Sequence, residues 1–342
     1  MPNIAIIGEA WGEHEERQRA PFVGPSGYEL TRMLSEAGIH RAECFLTNVF
    51  NLKPRPTNDI ENLCGPTKVG GLPALKGSKY VRQEYFPELN RLFAEIKRVE
   101  PTICILLGNT ACWALLGTQG ITKIRGTVVA ASPVAGWANL NGVKCLPAYH
   151  PAAVLRQWDL RPVTVLDFKK ARRESEFAGI RRPQRTISIV ETLQDIESYY
   201  DQHLHNAKTI TFDIETMGDQ ITCIGFAPST ESALVIPFHD PRSPTGSFWC
   251  SNEAEEKAWD AVRRILALPC RKIAQNGLYD VTFLWRSVGI TVRNFDEDTM
   301  LLHHALQPES EKGLAFLGSV YTNESSWKLL RTKGKTTIKK DS

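Results

Sequence analysis

One stretch of the chain reads Ile210-Thr211-Phe212-Asp213-Ile214-Glu215-Thr216. The β-branched residues ahead of its two acids predict a strand. Alternate residues of a strand face the same side, so Asp213 and Glu215 are expected to share one pocket. Two carboxylates held that close repel each other unless a cation lies between them. The pair therefore predicts a bound Mg²⁺ or Mn²⁺, because such hard cations prefer oxygen ligands.

A third carboxylate favours the same prediction. Asp280 ends the segment Gln275-Asn276-Gly277-Leu278-Tyr279-Asp280, which stands at the start of a predicted helix. An Asp-x-Glu pattern on its own is more often a pair of solvated acids at a strand end than a metal site. The additional Asn-x-x-x-Asp pattern reverses that preference, and the predicted metal ligands are Asp213, Glu215 and Asp280.

Length and composition bound the architecture and the compartment. A chain of 342 residues with 42% apolar content is expected to form two domains with proper cores. The first residues predict a strand rather than a secretory leader, and no apolar run is long enough to span a membrane. The eight cysteines form no C-x-x-C pattern, which favours buried thiols in a reducing compartment. We therefore expect a cytoplasmic protein without a membrane partner.

Charge is informative through its distribution, because a net charge of +3 is too small to indicate a partner. The stretch from Lys169 to Arg185 has seven Lys or Arg residues against two Glu, and its second half has no helical or strand period. It predicts a basic linker at 176–186 between domains at 1–175 and 187–342. The tail from Lys328 is basic too and is expected to fray. For both segments, a solvated surface and contact with phosphates remain open alternatives.

The first domain alternates predicted strands and helices. Strands are predicted at 4–7, 42–49, 102–107 and 144–149, with helices at 26–37, 86–99 and 109–116 between them. Apolar strands separated by helices indicate a parallel sheet covered on both faces. Ligands of such sheets bind at the carboxyl ends of the strands. Three polar segments fall there, around Glu9, Asn48 and His150, and they are expected to build one site.

These segments resemble the uracil-DNA glycosylase superfamily, in particular its family-4 type. The matching motifs are Gly8-Glu9-Ala10-Trp11-Gly12-Glu13-His14-Glu15, Pro21-Phe22-Val23-Gly24-Pro25-Ser26-Gly27, Thr47-Asn48-Val49, Leu107-Gly108-Asn109-Thr110-Ala111 and His150-Pro151-Ala152. The resemblance implies that Phe22 stacks on an extruded uracil and that Asn48 reads its edge. It also implies that His150 stabilises the leaving anion, while Glu9 holds or polarises the attacking water.

The chemistry of uracil excision needs residues of these types. Cleavage of the N-glycosidic bond leaves a uracil anion and an oxocarbenium-like sugar, which call for a hydrogen-bond donor at the base and a negative group near the sugar. One amide side chain can pair with uracil, whereas cytosine reverses the donor and acceptor and leaves the amide unpaired. The sequence departs from the family where Trp11 replaces a usual Pro. The family's cysteine pair ahead of the first strand is also missing, so no iron–sulfur cluster is expected.

The second half resembles the proofreading 3′-5′ exonuclease domain of family A DNA polymerases. Phe212-Asp213-Ile214-Glu215-Thr216 matches its first motif and Asn276-Gly277-Leu278-Tyr279-Asp280 its second, and the likeness continues to about Tyr321. Strands predicted at 221–227 and 233–238 would pair with the first strand in a mixed, ribonuclease H-like sheet. The resemblance implies two-metal phosphodiester hydrolysis by Asp213, Glu215 and Asp280. The family's third motif, Tyr-x-x-x-Asp, is absent: Tyr321 is followed four positions on by Ser325.

The chain is thus expected to be an α/β protein of two domains. An αβα parallel-sheet glycosylase-like fold precedes a ribonuclease H-like mixed-sheet exonuclease fold that is incomplete at its C-terminal side. Two functions remain open. One is a hydrolase of DNA replication and repair, with glycosylase or 3′-5′ exonuclease activity on uracil-containing DNA and single-stranded 3′ ends. The other is a catalytically weak DNA-binding accessory module of a phage-type polymerase that is split or truncated after residue 342. The resemblance to such polymerases implies that the protein works in the cytoplasm of a bacterium or of a phage-infected host.

Overall fold

The computed structural model describes residues 3–134, 140 and 142–324. The basic tail predicted from Lys328 lies outside these residues. The chain forms two compact units. Of the described residues, the first comprises those up to Arg182 together with those from Ala315 to Glu324, and the second comprises Pro183 to Leu314. The sequence placed a linker at 176–186 and assigned everything beyond it to the second domain, whereas the described residues from Ala315 to Glu324 cluster with the first unit.

The first unit is built on a five-stranded sheet with the order β2-β1-β5-β7-β6. Its strands are β1 (Ile4–Ala10), β2 (Cys44–Phe50), β5 (Ile103–Leu107), β6 (Val129–Ala130) and β7 (Lys144–Ala148), and a separate hairpin pairs β3 (Cys64–Gly65) with β4 (Tyr80–Val81). The four long strands are parallel, as the sequence predicts, whereas β6 adds a short antiparallel edge. Parallel strands buried on both faces need continuous apolar runs, and all five residues of β5 are buried.

Helices cover both faces of this sheet. They are α1 (Glu13–Gln18), α2 (Pro25–Glu36), α3 (Phe86–Val99), α4 (Asn109–Leu116), α5 (Ile121–Ile124), α6 (Pro151–Arg156) and α7 (Leu160–Ser175). Alternate residues of β1 enter different cores: Ala5 and Ile7 pack with residues of α3 and α4, whereas Ile4 and Ile6 pack with residues of α2 and α7. The period of two along the strand thus places one apolar core on each side of the sheet.

A last helix, α12 (Leu314–Tyr321), contributes the residues after Ala315 to the first unit. Arg125 and Asp167, both buried, form an ion pair, and Arg125 Nη1 also donates to Ser319 Oγ at 3.0 Å. Lys170 Nζ donates to the carbonyl oxygens of Gly126, Ser319 and Thr322. A buried ammonium is tolerated only with such partners. These polar contacts explain why this segment clusters with the first unit.

The second unit contains a six-stranded mixed sheet with the order β13-β12-β9-β10-β11-β8. Its strands are β8 (Thr186–Ile189), β9 (Thr209–Met217), β10 (Gln220–Ala227), β11 (Ser232–Pro237), β12 (Arg271–Ala274) and β13 (Phe295–Asp298), and its helices are α8 (Leu193–Tyr199), α9 (Asn252–Ala267), α10 (Leu278–Val288) and α11 (Thr299–Leu306). Strands β9, β10 and β11 are antiparallel neighbours, while β9, β12 and β13 are parallel. The predicted ribonuclease H-like mixed sheet is confirmed.

Two further observations bear on the sequence-based expectations. In the described part of the chain, no helix is long and apolar enough to cross a membrane. All eight cysteines lie in that part and carry free thiols, in agreement with the pattern that predicted no disulfide framework.

Candidate functional site

A cleft of about 740 Å³ opens at the carboxyl ends of the parallel strands of the first unit. Four residues singled out by the sequence line it: Glu9, Phe22, Asn48 and His150. Glu9 is the penultimate residue of β1, Asn48 lies in β2, and His150 follows β7. The structure therefore brings together the three strand ends that the sequence assigned to one site.

Gly8 lets the amide and the aromatic ring approach each other. In the parallel register Gly8 is the partner of Asn48. A β-carbon at Gly8 would lie 2.2 Å from Asn48 Oδ1 and 2.6 Å from Phe22 Cζ. Any residue larger than glycine would therefore displace one of these side chains. The amide of Asn48 and the ring of Phe22 meet over the bare backbone of β1.

Phe22 is held in an unusual backbone conformation. Its φ is 55°, in the left-handed region that non-glycine residues avoid, and its side chain is buried. Arg41 Nη2 donates to the carbonyl oxygens of Phe22 at 2.8 Å and Pro21 at 3.3 Å. Glu15 Oε1 accepts from the backbone amides of Val23 at 3.0 Å and Gly24 at 2.8 Å. A cation and an anion thus fix the segment on either side of the ring.

Asn48 is buried and its backbone is held by Arg91. Arg91 Nη2 donates to the carbonyl oxygen of Asn48 at 2.8 Å, while Arg91 Nη1 donates to Thr47 Oγ1 at 3.1 Å. Glu88 and Glu95 pair with the same guanidinium at 3.0 and 2.7 Å. No hydrogen bond of the Asn48 side chain is found to the residues that the structure describes, so this amide is available to a ligand in the cleft.

Glu9 and His150 lie at the other strand ends of the cleft. Thr110 Oγ1, at the start of α4, donates to Glu9 Oε2. His150 Nδ1 accepts from the backbone amide of Ala152 at 3.1 Å, which places the ring proton on Nε2. Burial, together with the charge of Arg156, lowers the pKa of His150 to about 4. The imidazole is therefore neutral near pH 7 and presents one N–H donor.

The second candidate site lies on β9, in the middle of the mixed sheet. Asp213 and Glu215 both lie on the exposed face of this strand, whereas Phe212 and Ile214 are buried in the core. The period-two prediction of a shared face is thus met by the structure. β12 pairs with β9 only as far as Thr211, and the amide of Ile214 donates to Asp280 Oδ1 at 2.9 Å. This bond draws the third carboxylate to the backbone between the other two acids.

Asp298 sets the turn that carries Asp280. Its carboxylate accepts from the amides of Asn276 at 3.0 Å, Gly277 at 2.8 Å and Met300 at 2.8 Å. Asn276 has a φ of 57°, and a β-carbon at Gly277 would lie 2.5 Å from Ala274 Cβ, so the turn is tightly packed. Asp298 therefore has a structural role at the start of α10.

The three acids interact electrostatically. Burial raises the pKa of Asp280 to about 6, an effect opposed by the Ile214 hydrogen bond and strengthened by the charge of Asp213. Partial desolvation, and then the charge of Glu215, raise the pKa of Asp213. Nevertheless, among the described residues no group of three or more His, Cys, Asp or Glu side chains is arranged to hold a metal ion. Ligation by all three acids would require Asp280 to turn an oxygen toward the face of Asp213 and Glu215.

The first unit matches a known family along almost its whole N-terminal part. Residues 1–174 match the family model described as the uracil DNA glycosylase superfamily. The chain belongs to this superfamily. It is 29% identical over 177 residues to the type-4 uracil-DNA glycosylase of Thermotoga maritima, covering 49% of this chain and 76% of the relative. It is 32% identical over 185 residues to the type-4 enzyme of Archaeoglobus fulgidus, covering 53% and 79%.

The second half matches a 3′-5′ exonuclease family model over residues 187–340. A DNA polymerase of Bacillus phage SP01 is 25% identical over an alignment of 334 residues, which covers 88% of this chain and 32% of that polymerase. Among solved structures, Escherichia coli RNase D resembles the chain with a TM-score of 0.32 and 17% identity, covering 41% of this chain and 34% of RNase D. The chain thus spans about a third of each of these two longer proteins.

These matches confirm the predicted fusion of a glycosylase-type domain with an exonuclease-type domain. They also confirm that the chain belongs to the hydrolases and to DNA processing, with a likeness to phage polymerases. The roles of Glu9, Phe22, Asn48, His150, Asp213, Glu215 and Asp280 stay predictions.

Sequence reasoning gave no role to several residues that build the first site: Glu15 and Thr110, which lie within the matching motifs, and Arg41 and Arg91, which lie outside them. A signal was available for Glu15, because a Glu three positions after Gly12 at a helix start is typical of a capping box. Arg41 and Arg91 act on carbonyl groups that are distant in sequence. No periodicity or motif spacing in the chain marks such contacts.

Proposed function

We propose that the first unit excises uracil from DNA. The observation that carries this proposal is the convergence of Phe22, Asn48, His150 and Glu9 in one cleft, at the strand ends of a uracil-DNA glycosylase fold. A base inside a duplex cannot reach such a cleft unless it is extruded, so single-stranded DNA is the easier substrate. The curated relatives named type-4 uracil-DNA glycosylases support the same activity.

Each residue has a distinct task in this reaction. Phe22 stacks on the extruded base, and the buried amide of Asn48 pairs with the uracil edge that cytosine lacks. The neutral imidazole of His150 donates its Nε2 proton as a hydrogen bond to the departing uracil anion. Glu9, oriented by Thr110, orients a water molecule for attack on the sugar and stabilises its positive charge.

The test is release of uracil from single-stranded DNA in EDTA. We expect activity without metal, because an amide, an aromatic ring, an imidazole and a carboxylate fill the four proposed roles and none of these roles needs a metal ion. Asn48→Asp should weaken discrimination against cytosine, and His150→Ala should lower the rate by ~10²-fold or more. Asp213→Ala is the matched control and should leave uracil release unchanged. Full activity of both cleft variants would contradict the assignment.

We further propose that the second unit binds Mg²⁺ or Mn²⁺ and engages single-stranded 3′ ends. Asp213 and Glu215 fit one hard cation, because both carboxylates lie on the same exposed strand face and Asp280 is one backbone amide away. The bound ion would activate water for phosphodiester hydrolysis. Asp213, Glu215 and Asp280 would hold it.

An accessory role for this unit is the second candidate function. The three acids in the described residues are not arranged as a metal cluster, and the likeness to the phage DNA polymerase covers 88% of this chain. Both observations favour a unit that presents DNA to a polymerase domain or subunit while hydrolysing it slowly.

The free thiols of the chain support work in a reducing cytoplasm.

A further inference from the structure

An exposed tryptophan lies just beyond the cleft of the first unit. Trp158 is 60% exposed and lies in the short turn between α6 and α7. Tryptophan is mostly buried in folded proteins and is enriched at interfaces, so an exposed indole beside a cleft is a candidate for ligand contact. The backbone of this turn is fixed, because Trp158 O accepts from the amide of Arg161 at 3.0 Å and Gln157 N donates to Ala153 O at 2.9 Å.

One face of the indole is occupied by a cation that is itself held in place. The guanidinium carbon of Arg161 lies 5.3 Å from the centre of the Trp158 ring. Arg161 Nε bonds Glu29 at 2.8 Å and Arg161 Nη1 bonds Glu36 at 2.8 Å. These two carboxylates neutralise the guanidinium and fix its position. The indole is thus supported from one side, and its exposed area is presented to solvent as a preorganised flat surface.

The distance to the cleft follows from α6. This helix begins directly after His150 and ends at Arg156, so its six residues span about 9 Å. Arg156 lines the cleft, and its charge acts on the pKa of His150. Trp158 comes two residues later. Successive bases of one strand are about 3.4 Å apart when stacked, so an indole two residues beyond Arg156 would be within reach of a nucleotide that flanks a base held at His150.

We propose that Trp158 is a stacking platform for a base that flanks the extruded nucleotide in single-stranded DNA. The inference rests on the proposed uracil excision only in placing DNA at this cleft. Aromatic platforms bind bases without regard to sequence, because every base has a π face. Arg156 would contact the intervening phosphate, and Trp158 would fix the register of the strand.

Tryptophan fluorescence tests the contact without any chemistry. The probe is a single-stranded oligothymidylate, which lacks uracil, added to the full chain in EDTA. We expect quenching in the wild-type protein and in Trp285→Phe, and its loss in Trp158→Phe. Trp285 is the matched control because it is 62% exposed and lies on α10 of the second unit. Equal quenching of Trp158→Phe and wild type would overturn the proposal.

A second measurement separates stacking from a structural role of the indole. Oligonucleotides that each lack one base near the uracil are compared for binding to wild type and Trp158→Ala. We expect one missing base to weaken wild-type binding about tenfold and to leave Trp158→Ala unaffected, since stacking of one base is worth roughly that much. If every missing base affects both proteins equally, the platform is excluded. Quenching without uracil release would refute the excision and retain the platform.

Discussion

Replacing Arg41 with Met should impair uracil recognition although Arg41 does not line the cleft. Its guanidinium donates to the carbonyl oxygens of Pro21, Phe22 and Gly27 and to Thr31 Oγ1, at 2.8 to 3.3 Å. Two of these carbonyl groups flank the strained backbone of Phe22. Methionine keeps much of the length of the side chain and removes every donor.

The expected magnitude follows from the bonds and the strain. A hydrogen bond from a charged group contributes about 1.5–3 kcal/mol. The left-handed backbone of a non-glycine residue costs about 1–2 kcal/mol, which the surrounding contacts must offset. Losing about 2 kcal/mol of this support would lower the equilibrium ratio of the native to the displaced segment about 30-fold, since ~1.4 kcal/mol corresponds to tenfold. We expect kcat/KM for uracil release to fall by up to about 30-fold in Arg41→Met, and by less in Arg41→Lys.

Two readouts are needed to attribute the loss to the segment around Phe22. Uracil release from single-stranded DNA gives kcat/KM. Hydrogen exchange reports how well the amides of Val23 and Gly24, which donate hydrogen bonds to Glu15 in the native segment, are protected from solvent. These amides should exchange faster in Arg41→Met while β1 remains protected. The control is Arg32→Met, because Arg32 lies on α2 with its side chain 76% exposed. Wild-type kinetics together with unchanged exchange in Arg41→Met would refute the reasoning.

Three further outcomes are expected. The pKa of His150 is lowered from 6.5 to about 4, so the unfolded state takes up this proton at a higher pH than the folded state, and the stability that the neutral imidazole contributes above pH 6.5 is lost as the pH falls toward 4. The drop in melting temperature between pH 7 and 5 should therefore be smaller in His150→Gln than in the wild type. An equal drop in the two proteins would contradict this role of His150. Lys170→Met should destabilise the first unit by about 3 kcal/mol in denaturant unfolding, because three carbonyl groups and Asp167 lose a buried partner, whereas the exposed Lys169→Met should be neutral. The chain should bind Mn²⁺ and degrade single-stranded 3′ ends feebly, and calorimetry should show Mn²⁺ binding that Asp213→Ala abolishes. Brisk hydrolysis of 3′ ends by the wild type that is lost in Asp213→Ala would mean that another residue completes the metal site.

The sequence alone determined the fold class and indicated the candidate residues of both sites. Apolar strands alternating with amphipathic helices can be buried in few ways other than a covered parallel sheet, and the period of two put Asp213 and Glu215 on one face of β9. Motif spacing likewise placed Glu9, Asn48 and His150 at strand ends, where a parallel sheet gathers its ligands. These features depend on local periodicity, which a single chain displays directly.

The tertiary structure alone decided how the functional groups are held. Arg41, Arg91 and Thr110 act on atoms that are between 19 and 101 residues away in the chain, and Lys170 reaches Ser319 across 149 residues. Such contacts form only when the backbone has folded. Folding decides which carbonyl groups and carboxylates lack a hydrogen-bond donor within secondary structure and therefore need one from a distant side chain. The same is true of α12, whose sequence belongs to the exonuclease family match while its residues cluster with the glycosylase-type unit. The position of α12 depends on the burial of charged side chains such as Lys170, which bonds the carbonyl oxygen of Ser319, rather than on a sequence pattern.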